Sequence, residues 1–425
     1  MQAGFSRKTV NPPLGMPQQG LWQSHQGGCT RIREDLFVQA LGLKQEETCF
    51  LVIGADLLFF DRLVVDRFKQ QLTEATGVAA EQILITATHN HAGPPTSSWG
   101  YQQTPDPESP SEVGSAIVAA ATGPFSRLAE ATLEAGMTEC GLPVSRRKID
   151  AEGQATWAPA PEAEVCRAVP VCVLRDTAGD VISVLYSASC HPSTWYEPEV
   201  CGDWPGVANQ LLNAQFNTEG ALFMQGCAGD TKPCTVAKEG RWQPGTWEDV
   251  ERAGRMVADA VMVRIEQGLD EHPPSLRNLL TEVPLGLRDV PTEEELEAAA
   301  NAKGDKRTPW ADEMLARLAR DGALPTNVPV RLHVLQLAAD VRLVALEGEP
   351  VAAIGNQILK TWPTGVTFPL GYADGMQIYI PVDAQLDQHG YEVDSFWEYH
   401  WPAPLAPGID ATLQEAFDRT KASLD

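Results

Sequence analysis

FLVIGADLLFFDRLVVDRFKQQLTEATGVAAEQILITATHNH, residues 50–91, is the stretch whose reading decides the fold. FLVIGAD is an apolar run ending at Asp56, and ILITATH is a second one ending at His89. Short runs that are apolar throughout suit strands buried on both faces. Between them, Val64, Phe68 and Leu72 fall on one face of a helix over 62–76, with Asp61 at its N-cap position and Gly77 at its end. This is a βαβ unit, and parallel strands joined in this way predict a sheet covered on both faces. His89 and Asp56 then share one sheet edge, the place where α/β proteins bind ligands.

Three further runs end on side chains able to hold a metal: VISVLYSASCH at His191, VRLVALEGE at Glu349, and GMQIYIP, which carries Tyr379. VPVCVLRD at 169–176 and ALFMQGCAGDTKP at 221–233 read as more strands, the latter running into a glycine turn. Helices are expected at about 111–136, about 206–216 and 249–268. The segment 330–349 reads as an antiparallel pair turning at Ala339-Asp340. A charged helical insertion is expected at about 291–323. No linker or internal repeat interrupts the chain, so the expectation is one α/β domain over 1–425: a mixed, largely buried sheet covered by helices, with a metal site at the carboxyl ends of its strands.

Composition narrows the partners. The formal net charge of −25, from 57 acids against 32 bases, repels phosphate backbones and disfavours nucleic acid. No stretch approaches the roughly 18 uninterrupted apolar residues that a transmembrane helix needs. The opening residues carry no apolar signal core, so the expected location is cytoplasmic. The 9 cysteines include no CxxC pair and read as small buried hydrophobes, with metal ligation by Cys190 or Cys201 as the sharper alternative.

Two imidazoles and a carboxylate form the ligand set of a catalytic zinc site that keeps a position open. On a strand, His89-x-His91 would place both rings on one side, so both could bind a metal, or one could bind while the other acts on substrate. Tyr379 is a less usual ligand, because a phenol ionises near pH 10 unless the metal lowers that value. Tyr391 could donate to a developing oxyanion. Asp230, in GCAGDTKP, could orient a metal-bound histidine or cap a helix. His25, His272, His333, His389 and His400 read as surface or packing residues.

These motifs resemble the neutral (non-lysosomal) ceramidase family, specifically its catalytic domain. NPPLG near residue 11, THNHAGP at 88–94, CHPST at 190–194, CGDWPG at 201–206, QGCAGD at 225–230, EGEP at 347–350 and the Tyr379/Tyr391 pair have counterparts in the same order. The resemblance implies one zinc held by His89, His191, Glu349 and Tyr379. It places His91 against substrate, Tyr391 on the oxyanion side and Arg146 as a substrate contact. The family's serine in GD-x-S-P is replaced here by Lys232, which would suit an anion on a smaller, more polar substrate. The expected activity is zinc-dependent hydrolysis of a linear N-acyl amide by water activated at the metal, with Asp56, Asp230 and Lys232 supporting the site. A metal-dependent esterase or deacetylase and a ligand-binding protein without catalysis are the alternatives.

Overall fold

The computed structural model describes residues 1–20, 28–100, 112–302 and 304–424. His25 and most of the loop expected after His91 lie outside these residues.

The large sheet takes β1 (Gln2–Thr9), β2 (Phe37–Gln45), β3 (Thr48–Ala55), β4 (Ile83–Ala87), β5 (Ala129–Glu139), β6 (Ala168–Asp176), β7 (Val181–Ala188) and β8 (Ala221–Gln225). Their order is β8-β7-β6-β5-β1-β2-β3-β4, and Asp270–Glu271 adds a short ninth strand on β5. β3–β4 and β7–β8 are parallel, and the other neighbours in that order are antiparallel. A second sheet holds β9 (Pro274–Gly286), β10 (Asn327–Ala338), β11 (Val341–Leu346) and β12 (Val366–Leu370), with β11–β12 parallel.

The expected mixed sheet is present and covered on both faces, by helices on one and by the second sheet on the other. Side chains alternate along a strand. Val38, Ala40, Leu51, Ile53, Ile83 and Ile85 point to helices α1 (Arg62–Thr76) and α2 (Glu112–Thr122). On the same outer side, Val171, Val173, Val184 and Phe223 meet α3 (Asp203–Phe216) and α4 (Trp247–Glu266). The alternate set, Leu41, Leu43, Phe50, Val52, Leu185 and Leu222, packs against Leu335, Leu337, Leu343 and Phe368 of the second sheet. That sheet's outer face is closed by α7 (Ala352–Thr361) and α8 (Ile409–Leu424), following the hairpin α5 (Glu293–Ala300) and α6 (Thr308–Asp321). The layers are helix, sheet, sheet, helix. The apolar runs cannot distinguish this from a helix-covered sheet, because either arrangement buries both faces of a strand.

Three local expectations change. The stretch 111–136 is not one helix: α2 stops at Thr122 and 129–136 belongs to β5. The helix expected from about 206 starts at Asp203. Asp61 stands at the N-cap of α1, but its carboxylate accepts the Ser98 amide at 2.9 Å instead of capping the helix. Gly77 ends α1 as expected, at φ 76°, a conformation that glycine adopts without strain.

The same path occurs three times: an antiparallel pair, a helix, then a strand parallel to the second. It runs β2-β3-α1-β4, β6-β7-α3-β8 and β10-β11-α7-β12. Isolated bridges join Thr86 to Ala373 and Gly226 to Leu370, bringing the strand ends of all three units together.

Candidate metal centre

His89, His91 and His191 converge, with one ligand atom from each lying within 4.8 Å of the others. His89 and His91 are not on a strand, because β4 ends at Ala87 and His89 turns left-handed at φ 62°. They face each other because each Nδ1 is held by a backbone carbonyl. His89 Nδ1 lies 3.1 Å from Leu58 O, and His91 Nδ1 lies 2.9 Å from Gly20 O. A Cβ on Gly20 would stand 2.6 Å from His91 Nδ1, so only glycine permits this approach. His191 follows the same rule through Ala228 O at 2.7 Å.

A ring whose Nδ1–H donates to a carbonyl presents a bare lone pair at Nε2. His89 Nε2 and His91 Nε2 are 3.2 Å apart. Glu349 Oε2 lies 3.4 Å from His89 Nε2 and 3.6 Å from His191 Nε2, and among the described residues no donor makes a well-formed hydrogen bond to it. Burial pushes all three histidines below the ordinary imidazole range, His91 to about 3. Burial also pushes the Glu349 carboxyl up to about 7. Two lone pairs facing each other beside a carboxylate oxygen form an arrangement that a bound cation would satisfy. Donors about 2.0–2.1 Å from one tetrahedral ion sit about 3.3 Å apart, close to these spacings. The residues therefore fit a divalent metal.

The carboxylate reaches the cluster from the second sheet. Glu349 and Tyr379 pair as adjacent short strands, and Tyr399 Oη donates to Glu349 Oε1 at 2.9 Å. The Tyr372 ring lies tilted against that of His89, with centroids 4.2 Å apart. Neither Tyr372 nor Tyr399 was reached by sequence reasoning, since neither lies in a recognisable motif.

Arg146 stands on the Tyr379 side. Its Nη2 donates to Tyr379 Oη at 3.0 Å, and its Nη1 is 3.3 Å from His191 Nε2. Its Nε donates to Glu392 Oε1 at 2.7 Å, while Arg147 donates to Glu392 Oε2 at 2.6 Å. Successive strand residues normally face opposite sides. A register shift between Ser145 and Arg147 lets both arginines reach one carboxylate.

The remaining candidates hold less central places. Tyr391 Oη donates to Glu398 Oε2 at 2.8 Å, while its ring stands edge-on to Tyr379. Asp230 accepts the Ala352 amide at the start of α7 at 2.8 Å and the Gln385 side chain at 3.1 Å, the helix-cap alternative. Asp56 accepts the Phe37 amide at 2.9 Å and holds β2 to β3. Lys232 is buried against Ser193 and Tyr196. The cysteines carry free thiols, and none joins the metal cluster among the described residues. His333, expected at the surface or in packing, is buried on Asp374 at 2.6 Å.

Fold and site together define a class: an α/β protein of the neutral-ceramidase fold with a histidine cluster able to bind a metal. The chain is similar to the crystal structure of neutral ceramidase from Pseudomonas aeruginosa, with TM-score 0.74 and 15% identity over 100% of this chain and 74% of that one. It is also similar to a structure of ceramidase complexed with C2, with TM-score 0.73 and 15% identity over 100% of this chain and 75% of that one. No protein-family model and no curated protein sequence matches the chain. Among the described residues, no helix is long and apolar enough to cross a membrane.

Proposed function

We propose that this protein is a metal-dependent hydrolase of linear amides, carrying one zinc per chain. The observation that supports it most is the convergence of His89 Nε2 and His191 Nε2 on Glu349 Oε2, with His91 Nε2 3.2 Å from His89 Nε2. His89, His191, Glu349 and Tyr379 would hold the ion, and two imidazoles with a carboxylate favour zinc over manganese or iron. When bound, zinc supplies Lewis acidity to an amide carbonyl and makes water acidic enough to react near neutral pH.

The chain's own groups do the rest. His91, with its proton fixed on Nδ1 by Gly20, keeps Nε2 free to take a proton and later return it to the departing nitrogen. Arg146, fixed by Glu392, presents a permanent positive charge where an oxyanion would develop. Tyr391 joins it only if its hydroxyl turns away from Glu398.

One observation favours a second arrangement. The 3.2 Å spacing of His91 Nε2 and His89 Nε2 also suits His91 as a ligand. Metal content and amide turnover of wild type, His191→Ala and His91→Ala separate the two. About one zinc per chain in wild type, little in His191→Ala, and full zinc without turnover in His91→Ala is the expected pattern. Loss of zinc in His91→Ala moves that residue into the ligand set. Full activity in metal-depleted His191→Ala would end the proposal. A panel of matched N-acyl and O-acyl compounds separates an amidase from an esterase.

A further inference from the structure

Lys232 is 3% exposed, in a short strand that pairs with the one carrying Arg146. Lysine is almost never buried this deeply unless paired. Its Nζ donates to Ser193 Oγ at 2.9 Å, Ser193 O at 3.3 Å and Tyr196 Oη at 3.3 Å. The rings of Tyr196 and Trp242 lie 5.5 and 5.9 Å from it. Every one of these neighbours is neutral. Among the described residues, no carboxylate forms an ion pair with Lys232, whereas the comparably buried Lys69 is paired to Asp374 at 2.7 Å.

The direction of the hydrogen bonds matters. An ammonium has three donors and no acceptor. Ser193 Oγ and Tyr196 Oη must therefore accept from Lys232, which turns their own hydrogens away from it. Each hydroxyl keeps one hydrogen to donate, and no hydrogen bond among the described residues uses either. The result is a positive charge flanked by two free O–H donors, with no anion to receive them. Ser193 sits two residues beyond His191 in the segment that follows β7, which places this group beside the histidine cluster.

We infer that the amide hydrolysed at this site carries a carboxylate, held by Lys232 with the hydroxyls of Ser193 and Tyr196. The inference rests on the proposed amide hydrolysis and adds the substrate class. The carboxylate belongs either to the amine half, as in an N-acyl amino acid, or to the acyl half, as in the monoamide of a dicarboxylic acid.

Two matched pairs test it. N-hexanoylglycine against N-hexanoylethanolamine probes the amine half. The N-ethyl monoamide of succinic acid against N-ethylbutyramide probes the acyl half. Wild type should favour the charged member of one pair by on the order of 100-fold in kcat/KM, the scale of losing one partner of a buried charge pair. Lys232→Met, with Lys232→Gln as a second variant, should bring that ratio close to one. Calorimetry of N-hexanoylglycine and of the succinic monoamide on the full chain, with metal removed by chelator, gives a readout apart from turnover. Equal turnover of both members in both pairs overturns the inference and leaves amide hydrolysis standing. Lys232-dependent binding of a charged compound with no turnover of any amide leaves the carboxylate site standing and overturns the hydrolysis. Binding of the charged compounds that survives both substitutions in well-folded protein overturns the role of Lys232.

Discussion

The units β6-β7-α3-β8 and β10-β11-α7-β12 follow one path and place a candidate ligand at one position. β7 ends at Ala188 and His191 follows three residues on; β11 ends at Leu346 and Glu349 follows three residues on. The two differ in how the ligand is aimed. A backbone carbonyl holds His191, whereas a side-chain hydroxyl, Tyr399, holds Glu349. The unit β2-β3-α1-β4 completes the comparison. Three residues past β3 stands Leu58, which offers only a carbonyl, and that carbonyl aims His89 from the far end of the unit. Equivalent backbone positions thus supply a candidate ligand twice and an orienting group once. The second sheet brings the negative charge, and the first brings neutral bases.

The sharpest way to break the comparison is to remove the charge. Glu349→Ala leaves three neutral imidazoles, while Glu349→Gln keeps the shape. Both should lower zinc affinity by more than the roughly 10–100-fold that follows loss of an outer hydrogen bond. Competition with a chromogenic chelator measures this. Unchanged affinity in both variants would mean that the second unit's equivalent position is not a ligand.

Arg146 and Arg147 sit between the units on one carboxylate. Burial raises the Glu392 pKa, and the charges of the two arginines outweigh burial and hold it below the usual carboxylate range. Glu392→Gln leaves two buried cations without an anion, and should cost about 3–5 kcal/mol in chemical denaturation. A cost under about 1 kcal/mol would show that water or Tyr379 satisfies the arginines and that Glu392 does not fix Arg146.

Asp374 follows β12 and clasps β4, accepting the Ile85 amide at 3.1 Å and pairing with Lys69 and His333. Burial raises its pKa, and the charges of Lys69 and His333 overcome this and hold it well below the usual range. A depressed folded pKa stabilises above the unfolded value of about 4 and is lost as pH falls through the folded one. Asp374→Asn should cost about 2–3 kcal/mol at pH 7, and the gap from wild type should close as pH falls below about 4. A pH-independent gap would mean that the clasp works by hydrogen bonding alone.

The sequence exposed the strands, and with them His89, His191 and Glu349, because each stands just past an apolar run. It concealed the second sheet, since full burial erases alternation whichever layer provides it. It also concealed Tyr372 and Tyr399, whose meaning comes only from which carboxylate or ring they touch. The carbonyls of Leu58, Gly20 and Ala228 leave no trace in residue identity, although Gly20 records the closeness of His91. His89-x-His91 was legible as a pair but misassigned to a strand, where the left-handed turn at His89 now accounts for their facing rings.

Tyr399→Phe gives the smallest expected effect and the finest test. The carbonyls that aim the histidines cannot be deleted by substitution, whereas the hydroxyl that aims Glu349 can. Phenylalanine keeps the ring that packs edge-on against Tyr379 at 5.7 Å and removes only the bond to Glu349 Oε1. Stability should fall by about 1 kcal/mol, the usual net worth of one hydrogen bond. Zinc affinity should fall about tenfold, the low end for an orienting partner. A fall in stability with affinity unchanged would show that Glu349 is held by its own backbone pairing with Tyr379. The second sheet would then aim its ligand as the first does, through main chain, and the difference between the units would reduce to the charge they carry.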